Sequence, residues 1–207
     1  MAGRFITLEG GEGVGKSTQL GALAELLRLR GKVVVTTREP GGTQGAEDIR
    51  ALLMAGDDSR WNARTEALLF AAARADHVGK LIRPALARGD WVLCDRFVDS
   101  TRAYQGGAGG VSDDDIMALH RLGSEGLLPD RTLLLDFPVQ LGIERTARRD
   151  PIYRDRMGSK PPEYYDRVAA RFRELAAADQ KRFRTVDASG SVAEVTARML
   201  AALVNLL

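Results

Sequence analysis

The sequence predicts one α/β domain in which helices cover both faces of a parallel sheet. Five short, almost continuously apolar runs have the length and the composition of strands that are buried on both faces. Helical patterns separate these runs, and such alternation is typical of βαβ crossovers in a doubly wound sheet. The chain of 207 residues has the size of a single ordinary domain.

The predicted strands are bounded by charged or turn-forming residues. In chain order they are Phe5–Leu8, Val33–Thr37, Trp91–Cys94, Thr132–Phe137 and Arg184–Val186. The predicted helices have apolar residues at helical spacing or are rich in alanine and leucine. In chain order they are Thr18–Arg30, Arg64–Leu86, Asp113–Gly123, Val139–Arg149, Pro162–Ala178 and Val192–Leu207. Because no internal repeat or low-complexity linker interrupts the pattern, we expect one domain over residues 1–207.

The composition limits the functional classes. The formal net charge of +2 argues against a polycationic nucleic-acid binder. No apolar run approaches the roughly 20 residues of a membrane span. From the low net charge we expect no nucleic acid as a partner, and from the short apolar runs no membrane. The only cysteine, Cys94, cannot form an internal disulfide, and this predicts a cytoplasmic protein.

A glycine-rich motif follows the first predicted strand and precedes the first predicted helix. It fits the pattern G-x-x-x-x-G-K-[ST], and in this context it predicts that backbone N–H groups surround the phosphates of ATP or GTP. Lys16 can bridge the β- and γ-phosphates, and the Ser17 hydroxyl can bind Mg²⁺. The predicted phosphate-binding residues are Gly10, Gly11, Glu12, Gly13, Val14, Gly15, Lys16, Ser17 and Thr18. Glu12 is either a solvated loop residue or a group near the acceptor phosphate or its metal.

The phosphate loop supplies no cation besides Lys16, although phosphoryl transfer needs positive charge on the migrating group. A second segment, Arg145–Lys160, is too polar and too basic for a core element. Pro151 and Gly158 interrupt it. We therefore expect a mobile basic lid over approximately residues 145–160. Its basic residues are Arg145, Arg148, Arg149, Arg154, Arg156 and Lys160.

Residues after the first three predicted strands can converge on one cleft, because ligands bind outside the carboxyl ends of strands in open α/β sheets. Asp95 and Asp136 both end apolar runs and both are candidates to hold Mg²⁺. Arg96 beside Asp95 offers a fork for a second phosphate, which favours Asp95. Arg38 and Glu39 follow the second strand, where they either contact a ligand or only form a turn.

These motifs occur together in an order that resembles bacterial thymidylate kinases along nearly the whole chain. The matching blocks are Phe5–Gly10 with the phosphate loop, Thr37–Thr43, Leu69–His77, Asp95–Phe97, Ser100–Gly107, Pro129-Asp130, and Asp155-Arg156 before Tyr164-Tyr165. The resemblance implies a P-loop nucleoside monophosphate kinase fold with a three-layer α/β/α arrangement and five parallel strands in the order 2-3-1-4-5. It also implies a homodimeric transferase that phosphorylates dTMP to dTDP with ATP and Mg²⁺, for dTTP synthesis.

The resemblance also implies roles for individual residues. Phe70 would stack on thymine, and Arg74 would donate to the thymine O4. Tyr104 would pack near the sugar 2′ position. The implied dTMP-binding residues are Arg38, Glu39, Phe70, Arg74, Arg96, Ser100, Thr101, Tyr104 and Gln105, the catalytic residues Lys16, Arg96, Arg156 and Glu12, and the metal-binding residues Ser17 and Asp95. Asp187–Ser189 would lie near adenine, and the histidines His77 and His120 receive no chemical role.

Two points stay open at this level. The lid reads Asp155-Arg156-Met157-Gly158, without the glutamate that often follows in the family, so Arg149, Arg154 and Arg156 all remain candidates for the lid arginine. A kinase for another nucleotide or for a nucleoside is the first alternative function. A nucleotide-dependent switch is the second, although the chain has no Asn-Lys-x-Asp guanine motif.

Overall fold

The computed structural model describes residues 3–149, 158 and 160–207. The predicted fold class is confirmed, because one five-stranded sheet has the order β2-β3-β1-β4-β5 and all of its strand pairs are parallel. The strands are β1 (Arg4–Glu9), β2 (Val34–Arg38), β3 (Trp91–Asp95), β4 (Arg131–Asp136) and β5 (Phe183–Asp187).

The strands extend further toward their carboxyl ends than the apolar pattern predicts in four of the five cases. Glu9, Arg38, Asp95 and Asp187 are all in the ladder, and Arg38 pairs with Asp95 in register. The backbone therefore continues in strand conformation past the last apolar side chain. As a result, one edge of the sheet carries a row of charged side chains.

Helices cover both faces of this sheet. The described residues form α1 (Lys16–Leu29), α2 (Gln44–Met54), α3 (Ala63–His77), α4 (Arg83–Ala87), α5 (Val98–Thr101), α6 (Asp113–Ser124), α7 (Val139–Arg149), α8 (Pro162–Ala178) and α9 (Val192–Ala201). Two π-helical segments, Val78–Ile82 and Arg102–Ala108, continue α3 into α4 and extend α5.

Three differences from the sequence prediction concern helices. The α2 helix was not predicted, although Thr43 caps it by accepting from the backbone N–H of Ala46. The segment from Val98 to Ala108 is helical where no helix was expected, since its polar and glycine residues hide the pattern. The last helix ends at Ala201, six residues before its predicted end at Leu207.

The core has a layer on each side of the sheet. Ile6 and Leu8 of β1 pack with Leu23 and Leu27 of α1 on one side. Phe5 packs on the other side in a second cluster that includes Phe97. Each fully buried large apolar side chain stabilises the fold by about 1.5–3 kcal/mol. Burial on both faces explains why the strands read as continuous apolar runs.

A buried ionic network anchors α5 to the sheet. The Asp99 carboxylate is fully buried and accepts from both terminal nitrogens of Arg182, just ahead of β5. It also accepts from Arg102 at 3.1 Å. This network holds the turn that carries Ser100 and Thr101.

No helix among the described residues is long and apolar enough to cross a membrane.

Candidate active site

A cleft of about 400 Å³ opens at the charged edge of the sheet. The carboxyl ends of parallel strands meet at this edge, which is where ligands bind in such folds. The cleft brings together ten of the predicted site residues: Glu12, Gly13, Gly15, Lys16, Ser17, Thr18, Arg38, Glu39, Asp95 and Arg96. Arg50 and Thr146, which the sequence did not single out, and the lid residue Arg145 also line it.

The phosphate loop ends at the first turn of α1. Gly15 is the N-cap of this helix and has a left-handed backbone (φ 93°). Because the helix begins at the loop, the positive end of its dipole points into the loop. The Lys16 ammonium donates to the carbonyl oxygens of Gly10 at 3.1 Å and Gly11 at 2.6 Å. Burial, reinforced by the positive charge of Arg96, lowers the pKa of Lys16 to about 8. The loop thus has the geometry of an anion site, with its ammonium turned back onto the main chain.

The lowered pKa predicts that phosphate binding weakens at alkaline pH. In the free protein, Lys16 is charged below pH 8 and becomes neutral as the pH rises through this value. Because kcat/KM reports the pKa values of the free enzyme, kcat/KM for ATP should fall by about tenfold from pH 7 to pH 9. Steady-state kinetics over this range measure the fall.

The control for this prediction is Glu9, whose pKa is also raised to about 8, by burial and by the nearby charge of Asp99. Its ionisation adds negative charge near the phosphates, so it too would weaken binding at high pH. The Glu9→Gln variant cannot ionise and should keep the alkaline fall that comes from Lys16. A flat profile in this variant would assign the fall to Glu9 and contradict the prediction.

The two predicted metal ligands lie in contact. The Ser17 hydroxyl donates to Asp95 Oδ2 at 2.6 Å, and hydroxyl and carboxylate oxygens are the ligands that Mg²⁺ prefers. The alternative, Asp136, pairs with Arg173 at 3.1 Å and does not line the cleft. The described residues contain no group of three or more His, Cys, Asp or Glu side chains that could hold a metal. A metal here would therefore take most of its ligands from phosphates and water.

Arg96 lies between the phosphate loop and α5. Its Nη2 donates to Glu12 Oε1 at 2.7 Å, and its Nη1 donates to the Gly10 carbonyl at 3.2 Å. The Tyr104 hydroxyl donates to the same Glu12 oxygen at 2.8 Å, and the guanidinium lies 5.0 Å from the centre of the Tyr104 ring. Burial raises the pKa of Tyr104 well above its usual value, so its hydroxyl keeps its proton. Glu12 is therefore held by Arg96 and Tyr104 and is not a freely solvated loop residue.

Sequence reasoning missed Glu9, the last residue of β1. Its fully buried carboxyl group accepts from the Phe97 backbone N–H at 2.8 Å and from the Ser100 hydroxyl at 2.6 Å. These bonds tie the strand before the phosphate loop to the turn that carries Arg96. The available signal was a carboxylate between an apolar strand and a glycine loop, where a charge is costly unless it is paired.

The residues expected at the base lie behind the cleft on α3 and on α5 with its extension. Arg74 Nε donates to Glu39 Oε2 at 2.7 Å, and Arg74 Nη2 donates to the Thr101 hydroxyl at 2.9 Å. Phe70 is half-buried and lies one helical turn before Arg74, on the same side of α3. Gln105 donates to buried Glu66 at 2.9 Å. Their contacts with a nucleotide stay a prediction.

Glu39 and Arg38 differ in their surroundings. Glu39 is buried and holds Arg74 and the His77 ring, which makes it a partner of other side chains more than a free ligand group. Arg38 is exposed and pairs with Glu47 at 2.9 Å, at the mouth of the cleft. The turn Asp187–Ser189 does not line the cleft, so its place near adenine stays a prediction.

The basic lid is only partly described. Residues Arg145–Arg149 belong to α7, which matches the predicted helix Val139–Arg149, so the first part of the lid segment is helical. The Arg145 guanidinium lies 4.0 Å from the centre of the Phe137 ring, and Lys160 pairs with Asp58 at 3.2 Å. Arg154 and Arg156 lie outside the described residues. The identity of the lid arginine therefore stays open.

The lid helix α7 packs directly on the phosphate loop through two glycines. A Cβ atom on Gly142 would lie 2.3 Å from the Glu12 carbonyl oxygen, and one on Gly13 would lie 2.0 Å from the Gly142 carbonyl oxygen. Both distances are far shorter than any real carbon–oxygen contact. Only glycine at both positions allows this approach, which links the position of α7 to the shape of the loop.

This contact predicts the effect of Gly142→Ala. The added methyl group must push the phosphate loop and α7 apart, and we expect KM for ATP to rise about 10- to 100-fold. Gly21→Ala is the matched control, since Gly21 is exposed on α1 with nothing within 4 Å of an added Cβ. It should leave the kinetics unchanged and stabilise the helix by about 0.5–1 kcal/mol. An unchanged KM for ATP in Gly142→Ala would show that the loop tolerates the displacement.

Comparison with known proteins gives a consistent result. The thymidylate kinase family model matches residues 8–199. A thymidylate kinase of Rhizorhabdus wittichii is 60% identical over 207 residues, all of both chains, and one of Alcanivorax borkumensis is 50% identical over 189 residues, with 91% of this chain and 90% of the relative covered. The crystal structure of thymidylate kinase from Ehrlichia chaffeensis superposes with a TM-score of 0.80 at 32% identity, covering 98% of this chain and 100% of that one. Since the family model spans most of the sequence and the relatives match it almost end to end, the chain belongs to the thymidylate kinase family.

Proposed function

We propose that this protein transfers the γ-phosphoryl group of ATP to dTMP with Mg²⁺, yielding dTDP and ADP in the synthesis of dTTP. One observation carries the proposal: two cations from different segments converge on a single point. Lys16 Nζ lies 3.1 Å and Arg96 Nη1 lies 3.2 Å from the Gly10 carbonyl oxygen. A donor phosphate against Lys16 and an acceptor phosphate against Arg96 would therefore face each other across a short gap.

The proposed reaction is a direct in-line transfer. A phosphate oxygen of dTMP attacks the γ-phosphorus of ATP, and the bond from this phosphorus to the bridging oxygen of ADP breaks. The acceptor is already an anion, so the step needs no strong general base. Lys16 and Arg96 neutralise the charge that develops on the transferred group and hold the two reactants in line. Glu12 and Tyr104 keep the Arg96 guanidinium in place before substrate arrives.

Mg²⁺ would be held by Ser17 and Asp95 together with phosphate oxygens. The ion would supply positive charge between the β- and γ-phosphates. The 2.6 Å contact between the two side chains supports their joint role, because both oxygens already point to one place.

The base pocket would use the buried Arg74 as a hydrogen-bond donor to the thymine O4. Cytosine carries an amino group, itself a donor, at the corresponding position and would be disfavoured. Phe70 would stack on the ring, Thr101 and Ser100 would line the base edge, and Gln105 would complete the pocket. Two bonds already fix the Arg74 guanidinium, which supports a rigid reader of one base edge.

Assembly and location complete the proposal. Exposed leucines on three neighbouring helices, Leu52 on α2, Leu68 on α3 and Leu122 on α6, support a homodimer that covers this face. A molar mass of 22.5 kDa in light scattering would count against the homodimer.

We place the enzyme in the cytoplasm, without nucleic acid or membrane as partner. Its free buried cysteine Cys94 is consistent with a reducing compartment, and cell fractionation tests this assignment.

The test is ADP release with ATP and Mg²⁺ while dTMP, dUMP, dCMP, dGMP, UMP and AMP are offered separately. The proposal expects the highest kcat/KM with dTMP. A higher value with another monophosphate would keep the kinase and refute the base pocket. Turnover that no monophosphate stimulates would favour a nucleotide-dependent switch. Phosphorylation of thymidine would favour a nucleoside kinase, which needs a base near a 5′-hydroxyl where this cleft has Arg96.

A further inference from the structure

We propose that His77 is a positioning residue for base recognition: through Glu39 it holds the Arg74 guanidinium in the orientation that reads thymine. The inference rests on the proposed function, since it assumes that Arg74 contacts the base. The sequence assigned no role to His77, and the residue is too deeply buried to contact a substrate itself.

The His77 ring is completely buried and both of its nitrogens have partners. Nδ1 lies 3.1 Å from Glu39 Oε1, and Nε2 lies 2.7 Å from the Thr37 hydroxyl. Because the carboxylate only accepts hydrogen bonds, Nδ1 carries the proton and donates it to Glu39. The Thr37 hydroxyl bonds the other ring nitrogen, Nε2. With both nitrogens engaged and no exposed surface, the ring has nothing to offer a ligand directly, so it can act only through its neighbours.

Glu39 transmits the position of His77 to Arg74. Its second oxygen, Oε2, accepts from Arg74 Nε at 2.7 Å. A carboxylate held at one oxygen alone can still rotate, whereas two partners on separate oxygens fix its plane. The Arg74 guanidinium is held in turn by Glu39 and Thr101, and it lies 5.2 Å from the centre of the Phe97 ring. His77 therefore provides the second of the two bonds that fix the carboxylate.

The loop that carries Glu39 is built around the His77 ring. A Cβ atom on Gly42 would lie 2.6 Å from His77 Nε2 and 2.4 Å from Thr37 Oγ1, and Gly42 has a left-handed backbone (φ 88°). Glycine is thus needed for the loop backbone to approach the imidazole. The ring joins the end of β2, the loop after it and the end of α3, and Arg74 lies on that last helix.

The experiment compares variants that keep or remove the bond to Glu39. His77→Phe removes both ring bonds, and we expect KM for dTMP to rise about tenfold, the effect of losing one charge-assisted hydrogen bond, with KM for ATP changed less than about twofold. The ratio of kcat/KM for dTMP to that for dCMP should fall with it. His77→Asn places an amide N–H near the Nδ1 position and should restore most of the loss, whereas His77→Gln reaches toward Thr37 and should not.

His120→Phe is the matched control, because His120 is the only other histidine of the chain and is equally buried. Its ring bonds the Leu127 carbonyl and no carboxylate. Both Phe variants lose packing and should have lower melting temperatures. His120→Phe should show no selective rise in KM for dTMP. If His77→Phe does not fold, the comparison of His77→Asn with His77→Gln decides the question.

Three outcomes would overturn the inference: equal KM values for dTMP in His77→Asn and His77→Gln, an unchanged dTMP-to-dCMP ratio in His77→Phe, or KM values for both substrates that rise together. Normal dTMP-dependent turnover of the unchanged protein alongside such a result would defeat this inference alone. An unchanged protein that dTMP does not stimulate would defeat the proposed function, and the role of His77 with it.

Discussion

Replacing Arg96 with alanine is expected to lower kcat/KM for dTMP by about three orders of magnitude, the scale on which arginines that neutralise a transferred phosphoryl group act. The substitution removes the guanidinium that would hold the acceptor phosphate. It also removes the cation that contacts Glu12 at 2.7 Å, so Arg96 no longer offsets the negative charge of Glu12 where an anion must bind. Steady-state kinetics with dTMP varied at saturating ATP measure the loss.

The two parts of this effect can be separated. The double variant Arg96→Ala with Glu12→Gln also removes the negative charge of Glu12 and should recover part of the loss. The kcat/KM for dTMP of Arg96→Lys should lie between those of Arg96→Ala and the unchanged protein, since an ammonium keeps the charge but cannot reproduce the two-pronged contact of a guanidinium. Arg173→Ala is the control: Arg173 is exposed, pairs with Asp136, and should matter by no more than about twofold, as exposed ion pairs do. Wild-type kcat/KM for dTMP in Arg96→Ala would refute the placement of the acceptor phosphate.

The second large effect is expected from Lys16→Met, with kcat lowered by about a thousandfold and ATP bound more weakly. Methionine has a similar length and an apolar end, so it fits the buried position while it removes the charge. The protein should keep its stability, because burial already disfavours the Lys16 ammonium, as its lowered pKa of about 8 indicates. Single-turnover phosphoryl transfer and thermal unfolding measure the two quantities.

Lys181→Met is the matched control for this variant, because Lys181 is exposed and lies in the turn before β5, away from the cleft. Its kinetics should equal those of the unchanged protein. A kcat in Lys16→Met within tenfold of the wild-type value would mean that another cation neutralises the transferred group. The arginines of the lid would then become the principal candidates.

The parts of the site that could be predicted from the sequence are those set by local chain geometry. The glycine spacing of the phosphate loop needs only its own backbone, and the two residues that it singled out, Lys16 and Ser17, both line the cleft. Asp95 was favoured over Asp136 because Arg96 follows it, and the structure places Asp95 and not Asp136 in the cleft. The five apolar runs predicted the sheet because burial on both faces leaves a continuous signal.

The parts that could not be predicted depend on contacts between distant segments. Glu9 bonds Ser100 across 91 residues of sequence, and Glu39 joins Arg74 to His77 from a different element. Gly142 looks like any weak point in a helix until the phosphate loop is packed against it. Such pairs become visible only once the order of the strands has brought the segments together.

Arg96 has a left-handed backbone, with φ at 70°, a conformation that L-residues with a side chain adopt at a cost and that glycine or asparagine adopt more easily. Folding and chemistry therefore make opposite demands on this position. Selection for growth that depends on the enzyme's activity should keep arginine here despite the backbone cost, while selection for resistance to heat alone should accept glycine only where the charge of Glu12 has also been removed. A difference in the residue selected at position 96 would show that activity, and not stability, maintains arginine there.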